Sequence, residues 1–250
     1  MRLVAPATSA LSRGQAGGRG DNGAMHCGIE DWTGARPPPQ LCLLLHGAGE
    51  RADAMRPLAE ALRGAFPAAA IFAPDAPLAG ERGRGRQWFS TVELDAARRI
   101  ERVEATLPAL REWVRAMQQR TGAGPAATSI AGFSQGAILA LELARLEDGL
   151  AGRILAFGGR YARLPDSAPA ASTLHLLHGD ADEVIPVEHA RLALQHLAVL
   201  HGDATIDVAA GVGHRLHPAL IDRALHRLRS HIPHRTWQAA LGAAPPRTPD

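Results

Sequence analysis

The stretch SIAGFSQGAI (129–138) carries a serine, Ser134, with glycines two positions before and after it. A serine hydroxyl is a weak nucleophile until a neighbouring base removes its proton. A base, and an acid to orient that base, would complete a set for acyl transfer. Two later stretches supply the residue types. LLHGDADEVIP (176–186) places Asp180, Asp182 and Glu183 just after His178, and AAGVGHRLHP (209–218) places His214 directly after Gly213. Taken alone, G-x-S-x-G is weak, since this composition gives about 0.09 chance matches per chain. Its setting decides its weight.

The setting is a strand followed by a helix. TSIAG (128–132) reads as a strand and QGAILALELARLE (135–147) as an apolar helix, the context that a tight serine turn requires. Other segments alternate in the same way. LCLLL (41–45), AAIFAP (69–74), RILAFGG (153–159), STLHLL (172–177) and ATIDVA (204–209) read as strands. Residues 52–65, 92–120, 187–202 and 218–228 have helical spacing, with Pro108 expected to kink or divide the second. Strands apolar on both faces, alternating with helices, predict an α/β fold. Its mostly parallel central sheet would be covered by helices on both faces. Sites in such sheets lie beyond the carboxyl ends of the strands.

All three candidate loops follow strands, in the chain order serine, acid, histidine. Ser134 is the candidate nucleophile and His214 the candidate base. His217 competes with His214, but it precedes Pro218 and so favours a helix-entry position. An oxyanion hole needs backbone N–H groups. Gln135, next to the nucleophile, and Ala48, in the HGAGE turn after an early strand, are the candidates, with His46 expected to hold that turn. A cation site at His178, Asp180, Asp182 and Glu183 is the weaker reading, because Val184, Ile185 and Pro186 end the run of acids.

Bulk properties fit one catalytic domain. The chain has 250 residues, a formal charge of +2 and 46% hydrophobic residues. All 27 basic residues are arginine and they are spread along the chain, which argues against a nucleic-acid footprint. No apolar run approaches the length of a membrane span. Cys27 and Cys42 allow no disulfide framework and fit a reducing, cytoplasmic setting. Low-complexity residues predict a disordered tail over 1–25 and a second tail over 236–250, flanking a catalytic domain over 26–235. A homodimer is compatible with the sequence.

Together, LLLHGAGE, GRQWFS, IAGFSQGAILALE, RILAFGGRYARLP, HLLHGDADEVIPVEHA and GVGH resemble the phospholipase/carboxylesterase family of α/β-hydrolases, in its bacterial serine esterase branch. The likeness spans most of residues 41–235. It implies an α/β-hydrolase fold and cleavage of small-molecule carboxylic esters without cofactor or metal. It implies a triad of Ser134, Asp182 and His214, with Asp182 taking the acid's place in the HG-x-x-D motif. It sets Trp88 and Phe89 beside the cleft as substrate-binding residues. The family generally has a larger apolar residue where Ala48 stands, and Pro or Asp where Glu183 stands. Only about a dozen residues separate the strands at 153–159 and 172–177, too few for a lid domain. An open cleft and small or short-acyl esters are therefore expected. A thioesterase or a lysophospholipase would use the same residues, and a non-catalytic binding module is a third alternative.

Overall fold

The computed structural model describes residues 25–242, apart from 33, 35, 36 and 82. The expected N-terminal tail lies almost wholly outside the described residues. Met25, its last residue, is described and packs on the core.

Seven strands form one sheet: β1 (Cys27–Asp31), β2 (Leu41–Leu45), β3 (Ala70–Pro74), β6 (Thr128–Phe133), β7 (Arg153–Phe157), β8 (Thr173–Gly179) and β9 (Ala204–Ala209). Two short strands, β4 (Leu78–Ala79) and β5 (Arg86–Gln87), pair separately. The order across the sheet is β1-β3-β2-β6-β7-β8-β9, parallel throughout except for the β1–β3 edge pair. The strand carrying the serine turn, β6, is therefore central. Its neighbours β2 and β7 bring two further loops to the same edge.

The strands alternate between two cores. Leu41, Leu43 and Leu45 of β2 face one side, where α2 (Ala96–Thr121), α3 (Gln135–Leu146) and α4 (Glu188–Val199) pack. Cys42 and Leu44 face the other, covered by α1 (Arg56–Ala65) and α5 (Pro218–Ser230). Both faces are apolar because both are covered. Of the kink or division expected at Pro108, division does not occur: Pro108 lies inside α2, which runs on through it. Val103, Leu107, Leu110 and Val114 are buried around it, and this packing carries the helix across the missing N–H. Between β7 and β8, residues 158–172 contain neither helix nor strand. Among the described residues no helix is long and apolar enough to cross a membrane.

Two elements differ from the sequence expectation. β1 was not foreseen: only Ile29 of its five residues is buried, so it carries no hydrophobic alternation. Helix α6 (His234–Gly242) crosses the expected domain end at 235. It buries no residue, which is why no apolar stripe announced it.

Within the sheet, β8 buries His175 completely. Its Nδ1 lies 2.8 Å from Thr205 Oγ1, while its Nε2 is buried without a partner among the described residues. Burial, with Arg153 and His231 nearby, pulls the imidazole from 6.5 down to about 3. The folded-state value is depressed, so below the unfolded value the unfolded chain binds a proton that the folded chain refuses. Stability should therefore fall as pH drops from about 6.5 toward 3. His175→Asn should flatten this dependence, so its urea midpoint should fall less than that of the parent chain between about pH 6.5 and 4.5. Equal losses in the two proteins would show that His175 is not the group responsible.

Candidate active site

The turn from β6 into α3 is too tight for ordinary residues. Ser134 sits at φ 52°, ψ −114°, a strained conformation for a residue with a Cβ. Its N–H is held by the Phe157 carbonyl at 3.0 Å. A Cβ on Gly132 would lie 2.2 Å from the carbonyl of Gly136, and one on Gly136 would lie 2.1 Å from the carbonyl oxygen of Leu45. The two glycines thus let three backbone segments touch, and the turn lifts Ser134 to the head of α3.

The acid arm follows β8. Gly179 approaches the Val212 carbonyl so closely that a Cβ would lie 2.0 Å from its oxygen. Ala181 N–H donates to the same oxygen at 3.1 Å, and Asp180 N–H donates to the Ala209 carbonyl at 3.1 Å. The Asp180 carboxylate accepts from Gly211 N–H at 2.6 Å. The loops after β8 and β9 are therefore fastened together, and they carry Asp182 and His214. Asp180 thus serves to tie the two loops together.

Asp182 is buried with both oxygens engaged. Oδ1 accepts from the N–H groups of Val184 and Ile185 at 3.0 and 2.8 Å. Oδ2 lies 2.7 Å from His214 Nδ1. An ionised carboxylate only accepts, so Nδ1 carries the proton. Nε2 is then free to accept from Ser134 Oγ, 2.9 Å away. The Phe133 ring packs against the imidazole, with centroids 4.9 Å apart. The structure thus brings Ser134, Asp182 and His214 into one hydrogen-bonded chain.

His178 joins this network unforeseen. Its Nε2–H donates to the Ile185 carbonyl at 2.7 Å and lies 3.3 Å from Asp182 Oδ2. Burial holds its pKa below the ordinary histidine value. It can therefore brace Asp182 as a neutral ring without adding charge. His178 and Asp182 turn inward, Asp180 reaches the β9 loop and Glu183 is exposed, so the four residues do not converge on a cation.

The HGAGE turn is braced from several sides. Buried His46 donates from Nδ1 to the Gly47 carbonyl at 2.7 Å and accepts at Nε2 from Ala76 N–H at 2.9 Å. Burial lowers its pKa, so it stays neutral. Glu50 accepts from Gly47 N–H at 2.9 Å. The N–H of Ala48 has no partner among the described residues. That of Gln135 opens a helix, where first-turn N–H groups lack intrahelical acceptors. Ala48, Ser134 and Gln135 all line one cleft of about 560 Å³, whose apolar wall includes Phe89, Leu94, Ile138 and Ile185.

Trp88 does not wall this cleft, contrary to the sequence expectation. It is 1% exposed, its indole N–H donates to the His46 carbonyl at 2.8 Å, and its ring stacks on His46 at 5.3 Å. The largest apolar side chain of its loop is placed where it loses most water contact, under the turn rather than over the cleft. Phe89 does reach the cleft. The Gln135 side chain fastens both residues: its Oε1 accepts from Trp88 N–H and its Nε2 donates to the Phe89 carbonyl, each at 2.9 Å.

Residues 32–232 match the Phospholipase/Carboxylesterase family. Esterase YpfH of Escherichia coli (strain K12) is 39% identical over 211 residues, covering 84% of this chain and 91% of that protein. The crystal structure of esterase PE8 superposes with a TM-score of 0.73 at 29% identity, over 83% of this chain and all of the other. The Bacillus cereus carboxylesterase superposes with a TM-score of 0.71 at 18% identity, over 84% of this chain and 96% of the other. The chain has the α/β-hydrolase fold and belongs to the Phospholipase/Carboxylesterase family. It is a carboxylic ester hydrolase.

The contact between Gly136 and Leu45 has a direct consequence. Gly136→Ala has to push β2 and α3 apart, at a cost of about 1–3 kcal/mol. The melting temperature should fall by several degrees. An unchanged melting temperature would mean that the turn has room the geometry denies it.

Proposed function

We propose that the chain hydrolyses small or short-acyl carboxylic esters through an acyl-enzyme on Ser134, with His214 as general base and Asp182 as the acid that orients it. The observation that carries this reading is the hydrogen-bonded chain from Asp182 Oδ2 through His214 to Ser134 Oγ, at 2.7 and 2.9 Å. His214 Nε2 takes the hydroxyl proton as Oγ attacks the ester carbonyl. The tetrahedral oxygen, now negative, is met by the N–H groups of Ala48 and Gln135, with the N-terminus of α3 beneath it. The imidazolium then gives its proton to the departing alcohol. Water, activated by the same imidazole, releases the acid and restores the serine. Asp182 keeps Nδ1 protonated and stabilises the positive ring. No cofactor or metal has a part in these steps.

The cleft is lined on one side by apolar residues and the connection over it is short, which favours compact acyl groups over long lipid chains. In a series of 4-nitrophenyl esters, kcat/KM should peak at short acyl chains, and a maximum at long chains would contradict this. Ser134→Ala should abolish turnover, since loss of a triad serine costs about 10⁶ in kcat. Asp182→Asn should cost about 10⁴ by supporting the wrong histidine tautomer. Asp180→Asn should cost far less, because its carboxylate contacts only the β9 loop. Full activity in Ser134→Ala would sink the mechanism, and a larger loss in Asp180→Asn than in Asp182→Asn would reassign the acid.

A further inference from the structure

The cleft holding Ser134 is lined by two arginines that stand outside the ion pairs of the described residues. Arg99 from α2, Arg160 from the segment after β7 and His189 from α4 line it together. Neither arginine side chain forms an ion pair among the described residues. Acids that act on Arg99 and on His189 have other partners. Asp95 caps α2 by accepting from Arg98 N–H at 2.8 Å, and Glu188 pairs with Arg191 at 3.2 Å. Glu81 also lines the cleft, but it is exposed and accepts from Thr91 N–H and Oγ1, each at 3.0 Å.

The arginines are half-buried, not solvated surface charges. Burial lowers the pKa of both; Asp95 offsets this in part for Arg99, and the charge of Arg99 lowers that of Arg160 further. Holding them so is unfavourable unless an anion completes the group. Arg160 is also pre-positioned. Its Nη1 donates to His189 Nε2 at 2.9 Å, and burial keeps that imidazole neutral as an acceptor. Just beyond it, the N–H groups of Ala162 and Arg163 are tied to the buried Glu142 carboxylate at 2.7 and 3.1 Å.

The cleft also has a direction. Ser134, Ala48 and Gln135 line it, whereas His214 does not. A leaving alcohol has to face His214 to receive its proton. The part of an ester lying in the cleft toward the arginines is therefore its acyl chain.

We propose that the preferred substrates are esters whose acyl chain ends in a carboxylate, received by Arg99 and Arg160. This inference rests on the serine-hydrolase reading above. Guanidinium forks suit a carboxylate because they can donate two parallel hydrogen bonds to it. The apolar residues lining the same cleft accommodate the methylenes that separate the two carboxyl groups.

The test compares three 4-nitrophenyl esters of matched chain length on the full chain: the half-ester of adipic acid, the heptanoate, and an ester ending in trimethylammonium. The expected order in kcat/KM is anionic, neutral, cationic. The anionic ester should lead the neutral one by about ten- to hundredfold, the scale of a charged hydrogen bond. The lead should shrink with added salt. Arg160→Met and Arg99→Met should each reduce it, and Arg160→Lys should restore part of it. A neutral ester cleaved as well as the anionic one would overturn the proposal while leaving the hydrolase reading standing, and this wild-type comparison does not depend on how the variants fold. A lead unchanged in both Met variants would also overturn it. If none of the three esters is cleaved, the hydrolase reading fails and the proposal fails with it.

Discussion

The carbonyl oxygen of Leu45 occupies the space that a side chain on residue 136 would need. This contact between the second strand and the first turn of α3 is the constraint on which the rest of the site depends. It lets the helix start close under the sheet edge, forces Ser134 to a positive φ, and sets the Ser134 hydroxyl and the Gln135 N–H at the head of one helix. The HGAGE turn continues directly from Leu45, and its Ala48 lines the same cleft as Ser134 and Gln135. The nucleophile and both candidate oxyanion donors thus share one packed junction.

Around that junction the protein arranges charge with care for what stays neutral. Asp182 is buried, yet it is met by two backbone N–H groups, by His214 and by the near approach of His178. His46 and His178 are kept neutral by burial, so they orient neighbours without competing with His214 for its role. The Gln135 amide satisfies both a donor and an acceptor on the 88–89 loop, so one residue could supply an oxyanion N–H and fix the cleft wall.

Much of this was legible in the sequence because it is written in local chemistry. The buried strands are continuous apolar runs, Gly132 and Gly136 mark a turn with a steric requirement, and the order of Ser134, Asp182 and His214 follows the order of the strands. What was not legible depends on the partner across space. Nothing in QWFS says that Trp88 turns under the HGAGE turn while Phe89 reaches the cleft; the acceptor on His46, 42 positions away, decides it. The Cys27–Asp31 edge strand and the His234–Gly242 helix bury too little to leave a periodic signal. Pro108 reads as a breaker, but the packing of α2 overrides it. Arg99 and Arg160, 61 positions apart, look like two arginines among 27 until the fold places them in one cleft.

The central claim is that the Ser134 oxygen is the attacking atom. The most direct measurement is to react the full chain with a fluorophosphonate, quench it, and map the added mass by peptide sequencing in a mass spectrometer. The account predicts one adduct, on Ser134, with loss of esterase activity in step with labelling. An adduct on another residue, or complete hydrolysis of ester by a protein that takes no label at Ser134, would contradict it.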